Sequence, residues 1–186
     1  MNIYDFDGTI CYKDCTLAFW KYCILKNPLI LLLLPIQGIG ACFYLLKLTK
    51  KTDWFFIFLR FVNVYNITIK NFVDKHEKFI CNWYFTQKQP TDVIVSASPE
   101  FLMKEFCSRL GVSYVASQVD IETGKSYKPV CKGKEKVKQF REVYPDAQVM
   151  SSYGNSESDK YIMEEGKHAY LVQNFSCIDV NIQQWY

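Results

Sequence analysis

Near its amino terminus the sequence reads Asn2-Ile3-Tyr4-Asp5-Phe6-Asp7-Gly8-Thr9. The apolar and aromatic residues of this stretch predict a short buried strand, which the Gly8-Thr9 pair ends. Asp5 and Asp7 then lie where the strand runs into its loop. An ionised aspartate is costly to bury without a partner, so the presence of two aspartates at the end of one buried strand requires an explanation. A capped turn is one interpretation. A site for a metal ion and a phosphate group is the other, and we favour it.

The composition of the 186 residues indicates a globular chain, because 49% of them are hydrophobic and 22% are charged. This length suits one domain, with or without a sizeable insertion. The formal net charge of +3 is too small to indicate a nucleic-acid partner, and we expect none. The eight cysteines form no C-x-x-C pair, which argues against structural zinc and predicts reduced thiols in a cytoplasmic protein.

Residues 12–88 carry helical patterns only. We predict helices over residues 14–26, 53–63 and 68–87, the first of them with Asp14 as its N-cap. We therefore expect residues 12–88 to form an all-helical domain inserted into the rest of the chain.

An uncharged stretch of twenty residues, 27–46, lies inside this insertion between flanking lysines. Its length could span a bilayer, but Pro35, Gly38 and Gly40 interrupt it. We favour two helices packed within the helical domain. The alternative is peripheral contact of residues 28–48 with the inner face of the membrane. A complete crossing would put Asp5 and the later site residues on opposite sides, so only a re-entrant or surface-lying segment fits.

From residue 89 onward the pattern alternates between strands and helices. We predict strands over residues 93–95, 112–116, 148–150 and 169–172, a hairpin turn at Gly124, and helices from Pro99 (with Ser98 as N-cap), over 134–143 and over 157–165. This alternation predicts an α/β fold with a Rossmann-like parallel sheet, for which residues 1–11 and 89–186 form the core domain. Ligands of such sheets bind at the carboxyl ends of the strands.

Four polar stretches lie at or beside those carboxyl ends. They are Asp5-x-Asp7, Val95-Ser96-Ala97-Ser98-Pro99, Tyr153-Gly154-Asn155-Ser156-Glu157-Ser158-Asp159, and Cys131-Lys132-Gly133-Lys134-Glu135-Lys136-Val137. Each has a structural explanation when taken singly, such as a turn, a helix entry or a solvated basic face. Together they supply a nucleophile, a hydroxyl donor, a cation and metal ligands in one strand–loop context.

The order of these stretches resembles the four-motif set of the haloacid dehalogenase superfamily of phosphohydrolases. The matching elements are D-x-D-G-T, then an apolar residue followed by Ser, then Lys, then G-[DN]-x-x-x-D. A helical insertion between the first two motifs is similar to the C1-capped, phosphoserine-phosphatase-like branch. The Ser-Ala-Ser-Pro-Glu-Phe-Leu, Cys-x-Gly-x-Glu-Lys-Val and Asn27-Pro28-Leu stretches are most similar to a subgroup that includes a bacterial phosphatidylglycerophosphate phosphatase.

The resemblance implies a role for each catalytic residue. Asp5 is the nucleophile that forms an aspartyl-phosphate, and Asp7 protonates the leaving oxygen and later takes a proton from water. Ser96 donates a hydrogen bond to a phosphoryl oxygen. Lys136 fits the spacing of the family lysine and neutralises charge, with Lys132 as the alternative.

The resemblance also implies an Mg²⁺ ion and a set of phosphate contacts. The metal ligands are the Asp5 carboxylate, the Asp7 carbonyl and Asn155, with Asp159 as a ligand or an anchor behind them. The predicted phosphate-binding residues are Gly8, Thr9, Ala97, Ser158 and Lys132. Asn155 stands where the family pattern has Asp, which predicts weaker Mg²⁺ binding.

We therefore expect a Mg²⁺-dependent phosphomonoester hydrolase that acts on a small phosphorylated substrate chosen by an apolar helical cap. Two alternatives stay open. One is a membrane-associated lipid-phosphate phosphatase, and the other is a catalytically weakened binding protein of the same fold.

Overall fold

The computed structural model describes residues 1–48, 52–61, 66–174 and 176–180. Its strands are β1 (Asn2–Tyr4), β2 (Val93–Pro99), β3 (Ser113–Ser117), β4 (Val149–Gly154), β5 (Gly166–Gln173) and β6 (Ser176–Asp179). They form one sheet in the order β3-β2-β1-β4-β5-β6. Neighbouring strands run parallel, except that β6 pairs with β5 in the antiparallel sense. This confirms the predicted α/β fold with a mainly parallel sheet.

Eight α-helices surround this sheet within the described residues. They are α1 (Cys15–Lys26), α2 (Leu34–Leu45), α3 (Asp53–Phe56), α4 (Asn66–His76), α5 (Asn82–Gln87), α6 (Glu100–Leu110), α7 (Lys134–Val143) and α8 (Lys160–Met163). Short 3₁₀ segments cover Pro28–Leu33, Ile57–Phe61, Glu77–Phe79 and Glu157–Asp159. The first five helices all lie between β1 and β2, where the sequence predicts the insertion.

Strand β1 occupies the centre of the sheet. Ile3 pairs with Val93 of β2 on one side and with Ser152 of β4 on the other. The chain goes from β1 outward through β2 and β3, then returns to β4 on the opposite side of β1. The direction of winding therefore reverses at β1, and the carboxyl end of this strand is where doubly wound sheets bind ligands.

Alternate side chains of the strands supply the two faces of the core. One face, which includes Ile3 and Val93, packs against Phe140 of α7 and Ile162 of α8. The other face, which includes Tyr4 and Ile94, belongs to a larger apolar cluster that contains residues of α6 and of the inserted helices; among them are Leu102, Phe106, Phe19 and Phe72. The inserted helices thus share a continuous core with the sheet, and their burial also holds β1 in place.

Helix α1 begins as the sequence predicts. The side chain of Asp14 accepts a 2.8 Å hydrogen bond from the backbone N–H of Leu17, which satisfies one of the unpaired donors of the first turn. Helix α7 likewise covers the predicted residues 134–143.

The sequence predicts one continuous helix over residues 68–87, and this prediction is wrong because the helix is interrupted. Helix α4 ends at His76, and α5 begins only at Asn82. Between them, the backbone N–H of Cys81 donates to the carbonyl of Ile10 (2.8 Å), and the N–H of Tyr12 donates to the carbonyl of Phe79 (2.9 Å). These backbone groups pair with the loop after β1 and so cannot continue a helix.

Several boundaries also differ from prediction. The helix predicted from Pro99 begins at Glu100 and has no side-chain cap, because β2 continues through Pro99 and Ser98 bonds elsewhere. The helix predicted over 157–165 is a 3₁₀ turn followed by the one-turn helix α8. The helix predicted over 53–63 becomes α3 and a 3₁₀ segment, and its last two positions lie outside the described residues. The chain turns at Gly124 as predicted, and the hairpin is short, with a single antiparallel bridge between Val119 and Ser126. Strand β6 was not predicted.

The uncharged segment forms two helical pieces as predicted, and these pieces pack on one side only. Ile30 belongs to the apolar core, and Gln37 is buried and bonded to the carbonyl of Phe55. Ten of its large apolar side chains are exposed: Leu29, Leu31, Leu32, Leu34, Ile36, Ile39, Phe43, Tyr44, Leu45 and Leu46. Leu48, which follows Lys47, is exposed as well. The stretch Pro28–Leu45 has the length and composition to cross a membrane, yet only 17% of it is buried. The expected packing within the helical domain therefore holds for the side of the segment that carries Ile30 and Gln37, while most of its large apolar side chains are exposed.

Candidate active site

The residues that follow β1, β2 and β4 meet at the carboxyl edge of the sheet. The backbone N–H of Asp5 donates to the carbonyl of Tyr153 (2.9 Å), which joins the ends of β1 and β4. A cleft of about 170 Å³ opens there. Its lining residues are Asp5, Asp7, Asp14, Thr16, Ala97, Ser98, Lys132, Lys136, Asn155, Ser156, Ser158 and Asp159.

Asp5 is buried at the floor of this cleft. Its Oδ1 accepts a hydrogen bond from Nζ of Lys136 (2.5 Å), and its Oδ2 accepts one from Oγ1 of Thr9 (3.0 Å). Burial raises the pKa of Asp5, while the charge of Lys136 opposes this shift. The charged form of Asp5 therefore depends on Lys136 in this part of the protein.

Lys136 lies in the first turn of α7 and is 1% exposed. Its Nζ also contacts Oδ1 of Asp159 at 2.6 Å. Burial disfavours the charge of the ammonium group, but the two carboxylates outweigh it and raise the pKa of Lys136 above its ordinary value. Burial likewise opposes the charge of Asp159, and Lys136 overcomes it, so the pKa of Asp159 is lowered. A buried cation thus bridges two carboxylates.

Lys132 takes a different place from Lys136. It is exposed and lines the cleft, and the hydrogen bonds of the described residues include none between Lys132 and Asp5. The sequence alone leaves the choice between these two lysines open, and the structure brings Lys136 to the carboxylate of Asp5.

Asp7 is half-buried and faces the amino end of α1. The backbone N–H of Cys15 donates to its Oδ1 (2.7 Å), and Oγ of Ser98 donates to its Oδ2 (2.5 Å). Burial raises the pKa of Asp7 to about 7, with smaller increases from the nearby Asp5 and Asp14, although the two hydrogen bonds oppose the shift. Near neutral pH the carboxyl of Asp7 therefore exists in both its protonated and its ionised form.

Sequence reasoning missed Ser98 as a site residue and selected Ser96 from the same strand. Ser96 is fully buried, and its Oγ accepts a 3.0 Å hydrogen bond from the backbone N–H of Ser98. The cleft itself is lined by Ala97 and Ser98. The spacing of two residues could have indicated Ser98, because positions i and i+2 of a strand share a face. Thr16 and Ser156 also line the cleft and were not predicted.

Gly8 and Thr9 are both engaged within the protein. Gly8 has φ +81°, and its N–H donates to the carbonyl of Cys11 (2.8 Å). A Cβ atom at Gly8 would lie 2.1 Å from Nδ2 of Asn155, so the glycine lets the loop after β4 approach the loop after β1. The hydroxyl of Thr9 is bound to Asp5. In this structure these two residues support the loop that carries Asp5 and Asp7.

The loop after β4 is ordered around the carboxylate of Asp159. Its Oδ2 accepts hydrogen bonds from Oγ and the backbone N–H of Ser156 (2.6 and 3.1 Å) and from the N–H of Asn155 (3.4 Å). Oγ of Ser158 lies 2.8 Å from Oγ of Ser156. Asp159 thus links this loop to Lys136, and through Lys136 to Asp5.

The geometry of this cleft agrees with a match to a known family. The family model described as haloacid dehalogenase-like hydrolase matches residues 3–164 of the chain. The chain belongs to the haloacid dehalogenase-like hydrolase family. This confirms the family resemblance of the sequence motifs. No curated protein matches the chain significantly.

Solved structures resemble this hydrolase in fold. A phosphoserine phosphohydrolase-like protein from Francisella tularensis has a TM-score of 0.55 at 16% identity, with 94% of this chain and 88% of that chain covered. A hydrolase of the same superfamily from Salmonella enterica serovar Typhi has a TM-score of 0.55 at 13% identity, and the match covers 88% of this chain but 59% of that one. A protein of unknown function from Bordetella pertussis has a TM-score of 0.50 at 15% identity, with coverages of 91% and 87%.

The hydrolase offers oxygen atoms as candidate metal ligands. The described residues contain no cluster of three or more His, Cys, Asp or Glu side chains able to hold a metal ion. The ligands that the family resemblance predicts are instead the carboxylate of Asp5, the backbone carbonyl of Asp7 and the amide oxygen of Asn155, and all three residues line the cleft. All three are hard oxygen donors, which suits Mg²⁺ when water and substrate complete the coordination.

Proposed function

We propose that this hydrolase cleaves phosphomonoesters with Asp5 as the nucleophile. The observation that carries this proposal is the buried contact of Asp5 with Lys136, at the carboxyl end of the central strand and open to a cleft. Family membership supports it. So does the fold it shares with a phosphoserine phosphohydrolase-like protein, although that likeness bears on the fold alone.

In the proposed reaction, a carboxylate oxygen of Asp5 attacks phosphorus, and the bond from phosphorus to the ester oxygen breaks. Protonated Asp7 gives its proton to the leaving oxygen, which departs as an alcohol. Ionised Asp7 then takes a proton from water, and the resulting hydroxide attacks the aspartyl-phosphate, releasing phosphate and restoring Asp5. A pKa of Asp7 near 7 suits a group that serves as acid in one step and base in the next.

The charge that develops on the phosphoryl group needs donors. Lys136 is already positioned beside Asp5, and a buried ammonium group stabilises added negative charge more strongly than one in water. Ala97 and Ser158 line the cleft and Lys132 is exposed at it, so we propose these residues as phosphate contacts. We also propose Ser96, Gly8 and Thr9 for the same role. In this structure their polar groups are bound within the protein, so they would have to exchange these bonds for bonds to phosphate.

We propose Mg²⁺ as the cofactor, held by Asp5, the carbonyl of Asp7 and Asn155. When bound, it would neutralise phosphate charge. Asp159 would hold the ligands in place, because both of its oxygens are already engaged by Lys136 and the loop at 155–156. Asn155→Asp would restore a full charge at the ligand position. We expect the Mg²⁺ concentration for half-maximal activity to fall; an unchanged value would contradict the role of Asn155.

Residues 12–88 are proposed to act as a cap that selects the substrate. Asp14 and Thr16, at the amino end of α1, line the cleft directly. The leaving group of the ester would meet this helix, because Asp7 is hydrogen-bonded to its first residue, Cys15. The cleft has a volume of about 170 Å³, which has room for the phosphoryl end of a small substrate.

We also propose that residues 28–48 lie on a membrane surface, because helix α2 has its polar side chain inward and its apolar side chains outward. Nε2 of Gln37 donates to the carbonyl of Phe55 (2.8 Å), and Gln37 is 6% exposed. Ile36, Ile39 and Phe43 face away and are about half exposed. A helix that faced water would carry the opposite distribution. Exposed apolar patches of this kind mark interaction sites, and a bilayer surface accepts an in-plane apolar helix.

This orientation keeps the active site on one side of the bilayer. Strands β1 and β2 flank the insertion and are paired, so both ends of the segment return to the same sheet. A surface-bound hydrolase at the inner face of the membrane favours the alternative of a lipid-phosphate substrate. Comparing the hydrolysis of water-soluble and lipid phosphates distinguishes the two substrate classes.

The decisive experiment is hydrolysis of an aryl phosphate with and without Mg²⁺ by wild type and Asp5→Asn. We expect activity that requires Mg²⁺ and is lost in the variant. A folded wild-type protein that hydrolyses neither this ester nor a panel of sugar and lipid phosphates would contradict the proposal and favour a binding protein that has lost catalysis. Activity that persists in Asp5→Asn would exclude Asp5 as the nucleophile.

A further inference from the structure

A second depression lies along helix α1, on the side away from the sheet. It has a volume of about 510 Å³ and is lined by residues of α1 and α4, among them Leu17, Lys21, Leu25 and Lys75. We call it the α1 groove. The reaction proposed above makes no use of it. It combines apolar walls with several cationic side chains.

The aromatic walls of the α1 groove are surrounded by ammonium groups. Tyr22 and Phe79 line it, and four lysine Nζ atoms lie 5.3–5.8 Å from the centroids of these two rings. These lysines are Lys26 and Lys75 over Tyr22, and Lys13 and Lys78 over Phe79. The rings hold the lysine chains against the groove, which keeps the charges concentrated at its rim.

Acidic side chains do not balance this charge. The groove lining includes Lys13, Lys21 and Lys75 and the single carboxylate of Asp14, whereas Asp74 and Glu77 are not among its lining residues and bind Arg109 at 2.7 and 2.9 Å. Asp14 lines the groove, but its side chain caps α1. Across the ranges that the structure describes, no salt bridge involves the lysines of the groove. The groove therefore presents net positive charge above an apolar floor, which favours an anion with an apolar part.

The α1 groove connects the apolar segment with the active site. Leu17, Lys21 and Leu25 are spaced by four residues, so they share one face of α1. At one end Asp14 lines both the groove and the catalytic cleft. At the other end Leu25 is 81% exposed and precedes Pro28, the first residue of the apolar segment, by three positions. An occupant of the groove would therefore touch whatever covers residues 28–48.

We propose that the α1 groove binds an anionic phospholipid of the membrane on which residues 28–48 rest. The lysines would contact the headgroup phosphate, while Leu17, Leu25 and the two rings would contact the first carbons of the lipid chains. This inference rests on the membrane contact proposed above. The bilayer is favoured over a protein partner because the positive groove is continuous with an uncharged apolar face, the arrangement by which amphipathic surfaces bind anionic lipids.

The test is co-sedimentation of the full chain with vesicles of phosphatidylcholine, alone or mixed with phosphatidylglycerol. The groove variant is Lys21→Glu with Lys75→Glu. Its matched control is Lys104→Glu with Lys138→Glu, which changes the same charge at exposed positions on α6 and α7. We expect the groove variant to lose its preference for the anionic vesicles, by about tenfold or more, and the control to keep most of it. Aryl-phosphate hydrolysis should be unchanged in both variants, which checks that they are folded.

A third variant separates this inference from the membrane contact itself. Ile39→Asp with Phe43→Asp should abolish binding to both kinds of vesicle, because it places charges on the apolar face. If the groove variant and its lysine control lose the preference for anionic vesicles equally, the lipid site in the α1 groove is contradicted. The proposed membrane contact of residues 28–48 would not be affected by that result. A wild type that binds neither vesicle would overturn both.

Other occupants give different results. If the apolar face joins two copies of the chain, the wild type will be a dimer without lipid and the aspartate variant a monomer, and vesicles will not compete with dimer formation. If the groove takes only free phosphate, inorganic phosphate will release the protein from anionic vesicles at concentrations where equal ionic strength of chloride does not. Either result would overturn the lipid site.

Discussion

Oγ of Ser98 lies 2.5 Å from Oδ2 of Asp7 and 2.8 Å from Oγ1 of Thr16. Ser98 belongs to β2 and Thr16 to α1, so this chain of hydrogen bonds joins the sheet to the inserted helices. The other oxygen of Asp7 accepts the N–H of Cys15, also in α1. Asp7, the proposed acid and base of the reaction, is therefore held by one hydrogen bond from β2 and one from α1. Ser98 is a positioning residue in this proposal.

Ser98→Ala is expected to lower kcat by about tenfold, because Asp7 loses one of the two bonds that orient it. The lost bond also stabilised the ionised form of Asp7. The decrease in rate at high pH should therefore move to higher pH in the variant. Ser98→Thr keeps the hydroxyl and should restore both properties. Measured pH–rate profiles of the three proteins check this, with the exposed Ser113→Ala as a control; equal effects of Ser98→Ala and Ser98→Thr would contradict it.

Lys136→Met is expected to destabilise the protein by about 3–5 kcal/mol at neutral pH, since it leaves two buried carboxylates, Asp5 and Asp159, without their cation. Their pKa values would rise, so protonation should reduce this loss at acidic pH. Urea unfolding at both pH values measures it. Lys132→Met, at an exposed lysine, should change the free energy of unfolding by less than about 0.5 kcal/mol. Equal stability of the two variants would contradict the structural importance of Lys136.

The same pair of variants compares the two lysines in catalysis. We expect Lys136→Met to lower kcat by at least about a hundredfold, because the cation beside the nucleophile is removed. Lys132→Met should mainly raise KM, as expected for a residue that meets the phosphate at the entrance of the cleft. A larger fall in kcat for Lys132→Met would reverse the two roles.

The pH dependence of turnover should reflect Asp7. Burial raises its pKa to about 7, so the carboxyl is protonated below this pH and ionised above it. Protonation of a poor leaving group needs the protonated form, and hydrolysis of an alkyl phosphate should therefore fall as the pH rises through about 7. An aryl phosphate with an acidic phenol needs less assistance and should show a weaker decrease. The decrease in rate above about pH 7 should be absent from Asp7→Asn. If the variant shows the same decrease, another group causes it.

Gly8→Ala is expected to destabilise the protein by about 1–3 kcal/mol. The position has φ +81°, and the new Cβ would meet Nδ2 of Asn155 at 2.1 Å. Gly38→Ala is the matched control, because nothing lies within 4 Å of a Cβ there and the residue is inside α2. It should stabilise the protein by about 0.5–1 kcal/mol. Thermal unfolding of both variants checks these opposite signs; a stable Gly8→Ala protein would contradict the close approach of the two loops.

Local patterns predict much of this fold. The alternation of strands and helices after residue 89 and the cap of α1 by Asp14 depend on neighbouring residues, and both are confirmed. The break between α4 and α5 was missed because it depends on backbone pairing with residues 10–12, about seventy positions away. The antiparallel strand β6 was also missed, since an exposed edge strand has no clear apolar alternation.

The sequence by itself determined that Asp5 and Asp7 end a buried strand and that a lysine and a second acidic loop accompany them, because spacing and turn chemistry are local properties. Only the tertiary structure decided that Lys136, 131 positions away, is the lysine that reaches Asp5. It also decided that Ser98 contacts Asp7 while Ser96 is buried, and that most of the large apolar side chains of residues 28–48 are exposed. An apolar run has the same sequence whether it is packed or exposed, and only the arrangement of its neighbours determines which of the two occurs.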